Sequence, residues 1–528
     1  MTRQKNIAMK HLKMKSEKLY SVLSIAIFVI AFFLRVMFLQ NNALTFGYDQ
    51  ARDALIAKQI ISGDIKIQGP PSSAPGLYHG VFYYYLLAPA YLIGHGSPIV
   101  VAYYLAFLNS LTVFIVFFTA KLATKNSWIA LLSASLYAIS FESTQYATWL
   151  SNPTIAVWTV PLMYLGLWIW ILSIKQKKLI VGPILAAIGL GLSIQAEIFL
   201  AYHIVPLLIW LAIYNKNITK KSLYYFFGFL IFVTFSLILC EFKFGFNSLT
   251  AIKSLATTSG GNLAYAKSVG DYLILYLNQV GRIFAFNTYP GNIGYGGGVI
   301  IILGIYSLLN YTHSFAAKKN PYPAFLAVWL FSHLSVVTVG GMSTPFLMVG
   351  IGPAISLMLG FYIYKLFNKK RIFAILIFLI IFYGNLNFIL SQNKLGSTLF
   401  SIQKDMLLSK QIDAIDYTYQ LADGKPFSIS SLTSPLWINI VWTYLYKWYG
   451  VNTYGYAPYW HGKDQIGQLD SLERIDNPFD TSFLILEPMA GIPVRYLSET
   501  IAEEDVDTKM VEEKSFGEII VQKRIKIF

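Results

Sequence analysis

Apolar runs near the roughly twenty residues that cross a bilayer alternate along this chain with short polar breaks that carry lysines. Spans fall near 20–40, 98–120, 128–147, 154–174, 179–197, 199–214, 222–241, 292–312, 322–341, 345–366 and 371–391, about eleven in all. The pattern predicts a mainly α-helical, polytopic integral membrane protein. From about Asn393 the runs shorten, charges rise, and strand-like stretches such as "FLILEP" and "EIIVQ" alternate with turn and helix signals. This predicts a transmembrane domain over 1–392 and a small C-terminal α/β soluble domain over 393–528.

Composition agrees: 55% of the 528 residues are hydrophobic, 13% are charged and the mean hydropathy is +0.54, which excludes an ordinary soluble protein. The run Ser21–Leu39, after a basic start, is too long for a signal-peptide core and lacks a small-residue cleavage site, so it is expected to stay as the first helix. Cys240 is the only cysteine, which excludes an intramolecular disulfide and a cysteine-based metal site.

The net charge of +15 would suit nucleic acid, but the basic residues form no continuous face. They cluster at Lys121 with Lys125, Lys175 with Lys177 and Lys178, Lys216 with Lys220 and Lys221, Lys318 with Lys319, and Lys369 with Lys370 and Arg371. If Val81–Gly94 is a re-entrant or surface helix, every cluster falls on the side of the basic N-terminus. The N-terminus is then cytoplasmic, membrane lipids surround the chain, and no nucleic-acid partner is expected. A first loop (Asn41 to about Pro98), a middle loop (Phe242–Gly291) and the C-terminal domain then share the non-cytoplasmic face of the cell membrane.

Candidate chemistry gathers on that face. In "YDQARDALIAKQI", Asp49 and Asp53 are four apart and Arg52 lies three beyond Asp49, so one helix can present acid and cation together, or simply hold an internal ion pair. "GPPSSAPGLYHGVFYYYLLAPAYLI" places His79 before adjacent tyrosines that include Tyr83 and Tyr84, an aromatic and glycine-rich surface suited to sugar rings. "YAISFESTQYATWLSNP" sets Glu142, Trp149 and Asn152 at one outer helix end, and "GLSIQAEIF" sets Gln195 and Glu197 at another. His203 and His333 lie alone in apolar stretches and read as hydrogen-bonded core residues. The only Asp-x-Asp spacing, Asp505 and Asp507 in "EEDVDTK", reads as a solvated acidic run, so no tightly bound metal is expected, although a divalent cation is conceivable.

These motifs resemble the GT-C superfamily of polytopic glycosyltransferases, in the branch of protein O-mannosyltransferases and lipid A aminoarabinose transferases. Asp49 just after the first span is similar to that family's hallmark acid, "HGVFYYYLLAP" to its His-Pro-Pro-Leu-Tyr-Tyr segment, and "TWLSNP" to its second outer-loop motif. The resemblance covers roughly the first 200 residues. It implies transfer of a sugar with inversion from a polyprenyl-phosphate-linked donor to a protein, lipid or glycan acceptor, with Asp49 as general base and cations at the leaving phosphate. Arg35, Arg52 and Arg282 are the candidates for that role, with Lys267. Arg35 lies inside the first apolar run and alternatively snorkels to the interface; Lys267 and Arg282 alternatively are solvated loop charges. The chain departs from the pattern at Gln50, where many members have Glu, at Asn152, where many have an acid, and at Gly80 and Val81, which replace prolines. Glu142 and Glu197 either supply the missing acid or hydrogen-bond neighbouring helices.

Two other classes fit the hydropathy. A transporter or flippase of lipid-linked sugars would show repeat symmetry and mid-membrane polar groups, which this sequence lacks. A sugar-polymer ligase would carry its chemistry in a large middle loop, where Lys267, Asp271 and Arg282 are the candidates beside the lysines Lys243 and Lys253.

Overall fold

The computed structural model describes residues 2–72, 75–172, 178–258, 268–291, 295–314, 321–334, 345–463, 465, 469–489 and 492–527. Among them, five helical stretches are long and apolar enough to cross a membrane: Glu17–Asn41, Pro98–Thr124, Asn152–Leu172, Lys220–Lys243 and Arg371–Leu395. Six further apolar helices are shorter. Polar residues at the outer ends account for much of the shortening. The run expected over 128–147 divides into Ser127–Ala138 and Phe141–Thr148, because the Ser140 side chain accepts from Ser143 N at 3.2 Å and caps a new helix. The runs expected over 179–214 divide at Glu197, whose carboxylate accepts from Phe199 N at 3.4 Å and opens a short turn before Ile204–Ile213.

Phe82–Ile93 is a helix of 12 residues, about 18 Å long at 1.5 Å per residue, which is short of a bilayer. It packs against the Tyr48–Ile61 helix. The expected middle loop is a different object: it contains the helices Asn247–Thr258 and Val269–Phe286, the second opened by a reciprocal cap between Ser268 and Asp271 at 2.9 and 3.1 Å. Arg282 therefore stands on a helix and not in a loop. The Lys220–Lys243 helix packs Phe226, Phe229 and Leu230 on the core and leaves Tyr224, Phe227, Ile231, Phe232 and Phe235 exposed, as lipid contact allows and water does not. The Ala156–Leu172 and Lys178–Ala196 helices touch backbone to backbone: a Cβ at Gly166 would lie 2.3 Å from Ala186 N, and one at Gly189 2.3 Å from Met163 N.

Beyond Asn393 a five-stranded sheet runs in the order β2-β1-β3-β5-β4, with β1 Ser428–Leu432, β2 Tyr459–Trp460, β3 Thr481–Leu486, β4 Thr508–Phe516 and β5 Ile519–Lys526. β1 is parallel to β2 and β3; β5 is antiparallel to β3 and β4. "FLILEP" and "EIIVQ" supply β3 and β5. The Leu408–Ala422 helix covers the sheet, and the Ile440–Leu445 helix packs on Tyr48–Ile61. One buried cluster joins Phe46, Ala51, Leu55 and Tyr84 to Leu408, Trp442 and Phe483, so the first outer segment and the C-terminal residues share a core.

Candidate active site

The first motif forms the Tyr48–Ile61 helix, with Gly47 at its N-cap. The two carboxylates do not play equivalent parts. Arg52 Nη1 donates to Asp49 Oδ1 at 2.7 Å, while Nε and Nη2 both donate to Asp53 Oδ1, at 2.9 and 2.7 Å. The Arg52 and Asp53 side chains are 8% and 1% exposed, whereas that of Asp49 is 58% exposed. Asp53 is thus the inner anchor and Asp49 the group presented outward. Burial pushes the Asp53 carboxyl up, to about 7, against the pull of Arg52. Burial also opposes the charge on Arg52, but the two carboxylates overcome it and raise its pKa above the ordinary arginine value.

The second motif wraps against this helix. Gly80 N donates to Gln195 O at 2.8 Å, and a Cβ at Gly80 would meet Gln195 Oε1 at 1.6 Å, so no side chain fits there. Gln195 Nε2 donates to Val233 O and Ser236 Oγ at 2.8 and 2.7 Å, which makes Gln195 a clasp between helices. His79 Nδ1 accepts from Ile198 N at 3.2 Å and lies 3.5 Å from Glu197 Oε1. Burial and then Arg52 push His79 down to about 3, and the Nδ1 that faces Glu197 already accepts a backbone N–H, so the contact is not a salt bridge. Tyr83 and Tyr84 are buried beside the Arg52–Asp53 pair, and the Tyr83 hydroxyl has no partner.

The third motif brings a second set of polar groups. Glu142 is 2% exposed; its Oε2 accepts from Asn287 Nδ2 at 2.7 Å, and its Oε1 has no partner among the described residues. Asn287 Oδ1 in turn accepts from Ser140 Oγ at 2.7 Å. Trp149, Tyr146 and Phe400 stack together, Tyr146 and Phe400 with centroids 4.5 Å apart, and the Arg282 guanidinium lies 5.2 Å from the Phe400 centroid. Arg282 Nε and Nη2 are buried without hydrogen-bond partners. Lys267 lies outside the described residues.

The departures from the family pattern are the joints of the assembly. Gln50 Oε1 accepts from Gly47 N at 2.9 Å while its Nε2 donates to Leu150 O at 3.1 Å, which joins the Asp49 helix to the Trp149 segment. A glutamate could make only the first bond. Asn152 Nδ2 donates to Ala196 O at 2.5 Å, a bond closed to a carboxylate. The four motifs therefore form one contiguous cluster. Arg35 belongs to its foundation: it is 3% exposed and donates to Asn109 Oδ1 at 2.7 Å, Ala31 O at 2.8 Å and Ala138 O at 3.1 Å, so it ties helices together and does not snorkel.

Asn287, Tyr146, Phe400 and Asn109 escaped the sequence reading, because each lies in an apolar run or a featureless loop. Asp505 of the Asp-x-Asp spacing accepts from Arg524. Among the described residues, no group of three or more His, Cys, Asp or Glu is arranged to hold a metal ion. His203 Nδ1 lies 3.0 Å from the Tyr164 hydroxyl, inside the core.

The fold is similar to that of ArnT from Cupriavidus metallidurans, a lipid A aminoarabinose transferase. The alignment covers 96% of this chain and 98% of that one at 9% identity, with TM-scores of 0.56 for the crystal structure bound to undecaprenyl phosphate and 0.58 for the apo state. AglB from Archaeoglobus fulgidus, an archaeal oligosaccharyltransferase in complex with an inhibitory peptide and a dolichol-phosphate, is matched at 16% identity over 77% of this chain and 58% of that one, with a TM-score of 0.45. No protein-family model and no curated protein matches the sequence. What the chain shares with ArnT at this identity is the fold, as the motifs led one to expect.

Proposed function

We propose that this chain is an inverting glycosyltransferase of the membrane, which moves a sugar from a polyprenyl-phosphate-linked donor to an acceptor at the outer face. The N-terminus is then cytoplasmic and residues 393–528 are an extracytoplasmic domain. The observation that carries the reading is the Asp49 carboxylate, open to solvent yet held at 2.7 Å by a buried guanidinium. An acceptor O–H attacks the anomeric carbon, its proton passes to Asp49, and the bond from that carbon to the phosphate oxygen breaks. The electron pair leaves with the polyprenyl phosphate, and a single displacement inverts the centre.

Arg282 supports the second half of this chemistry. Arg282 is half-buried, and its buried Nε–H and Nη2–H groups, without partners among the described residues, are open to an anion as an ion-paired guanidinium is not. It is the contact assigned to the donor phosphate, which the ArnT structure with undecaprenyl phosphate makes a reasonable ligand class. Trp149, Tyr83 and Tyr84 are assigned to the sugar side, with Asp53 as the group that orients Arg52.

Mass spectrometry of glycolipids and glycoproteins from cells with and without the chain tests the proposal. One conjugate is expected to lose one sugar, the wild-type gene to restore it and Asp49→Asn not to. Full restoration by Asp49→Asn removes Asp49 from its role. Build-up of a lipid-linked precursor on the inner leaflet favours a flippase instead.

A further inference from the structure

The Asp49 helix cannot cap itself. Its N-cap is Gly47, which has no side chain, and the first helical N–H, that of Tyr48, points away from the helix ladder. Gln403, more than 350 residues downstream, fills the place: its Oε1 accepts from Tyr48 N at 2.7 Å. Gly47 is what lets it in, because a Cβ there would lie 2.4 Å from that same oxygen. The Gln403 Nε2 donates to Ser434 O. Ser434 N then donates to Glu487 Oε2 at 2.8 Å, and Glu487 Oε1 accepts from Trp442 Nε1 at 3.0 Å. Trp442 belongs to the Ile440–Leu445 helix, which packs back onto the Asp49 helix and closes a ring.

The approach to the helix is fastened in the same way. Leu408 N donates to Leu44 O and Phe46 N to Met406 O, both at 2.8 Å, and Gln411 Nε2 donates to Phe46 O at 2.7 Å. The segment immediately before Asp49 is therefore paired residue by residue with the chain around 403–411. Asp49, by contrast, is tethered among the described residues only through Arg52 on the same helix. Where its carboxylate stands thus depends on where the helix begins.

We propose that Gln403 is a positioning residue for Asp49, and that the C-terminal part of the chain sets the register and direction of the catalytic helix. The inference rests on the glycosyltransferase reading for its consequence but not for its mechanics. Hydrogen exchange of the detergent-solubilised full-length protein reads the mechanics: Gln403→Ala is expected to raise deuterium uptake over residues 44–56 and leave the membrane helices unchanged. The conjugate level supported in cells is expected to fall by about 100-fold, as displacement of a reacting group by an ångström commonly does, while undecaprenyl phosphate binding stays within about twofold of wild type. Gln403→Glu keeps the acceptor for Tyr48 N–H and loses only the donor, so it restores part of the transfer. Where Gln403→Ala lowers expression, Gly47→Ala displaces the carboxamide with Gln403 still present and repeats the test. Unchanged uptake over 44–56, or wild-type transfer despite raised uptake, overturns the proposal. Failure of the glycosyltransferase reading shows separately, as full transfer by Asp49→Asn, because uptake over 44–56 does not depend on what the site catalyses.

Discussion

Two arginines of the candidate site differ in what their guanidinium groups hold. Arg52 holds two carboxylates at 2.7 Å each and is saturated with negative charge, while Arg282 leaves Nε and Nη2 buried and idle, with the Glu142 carboxyl held by Asn287 and not by a guanidinium. The contrast separates roles that composition cannot. A guanidinium already neutralised from within the protein is a fixture that aims Asp49. One with two buried N–H groups left unpaired is a place for an anion to arrive.

The largest expected effect breaks the comparison on the Arg52 side. Asp49→Asn keeps the hydrogen bond to Arg52 through its amide oxygen but cannot take a proton, and should lower transfer by at least about 100-fold, the usual range for a lost general base. Binding of undecaprenyl phosphate should survive it. Arg282→Gln should do the reverse, and weaken undecaprenyl phosphate binding by about tenfold or more, measured on the solubilised protein, since loss of one partner of a buried charged contact costs about 2–5 kcal/mol. Equal binding by wild type and Arg282→Gln would move the phosphate site elsewhere.

Smaller effects concern the frame between the two clusters. Gly80→Ala forces a methyl group into Gln195 and should destabilise the protein by about 1–3 kcal/mol, seen as a lower melting temperature with the membrane fraction unchanged. The smallest expected effect is on pH dependence. Glu487 is raised by burial from 4.5 to about 8. It keeps its proton in the folded state where the unfolded chain has lost it, so the folded state binds more protons and stability falls as pH rises through that value. His79, lowered to about 3, works in the other direction but only below about pH 6.5, its ordinary value. Thermal melts between pH 6.5 and 8.5 therefore isolate this carboxyl, and the melting temperature should drop across that interval and level off above it. Glu487→Gln should flatten part of the slope.

The legible part of the site was the part written locally. Asp49, Arg52 and Asp53 lie within one helical turn and His79 opens its own aromatic segment, so spacing alone nominated them. Even there the sequence treated Asp49 and Asp53 as equals on one face, and burial separated them. Arg282 was expected in a loop because the middle segment is only moderately apolar; the Ser268–Asp271 cap and the core contacts of its helix placed it under the aromatic stack instead. Gln50, Asn152 and Gly80 looked like lapses from a family pattern. They are donors and a gap that the packing requires, as the bonds to Leu150 and Ala196 and the approach of Gln195 show.

By itself, then, the amino-acid sequence determined that the lipid bilayer is this protein's solvent, which stretches cross or flank it, and that an acid–cation motif follows the first span. These are properties of hydropathy and short-range spacing, which act over one or a few helical turns. Only the tertiary structure decided which carboxylate faces outward, that Arg282 keeps two buried N–H groups unpaired, and that Gln403 caps the Asp49 helix across more than 350 residues. Those outcomes depend on burial and on hydrogen bonds between segments remote in sequence, and no local pattern encodes either.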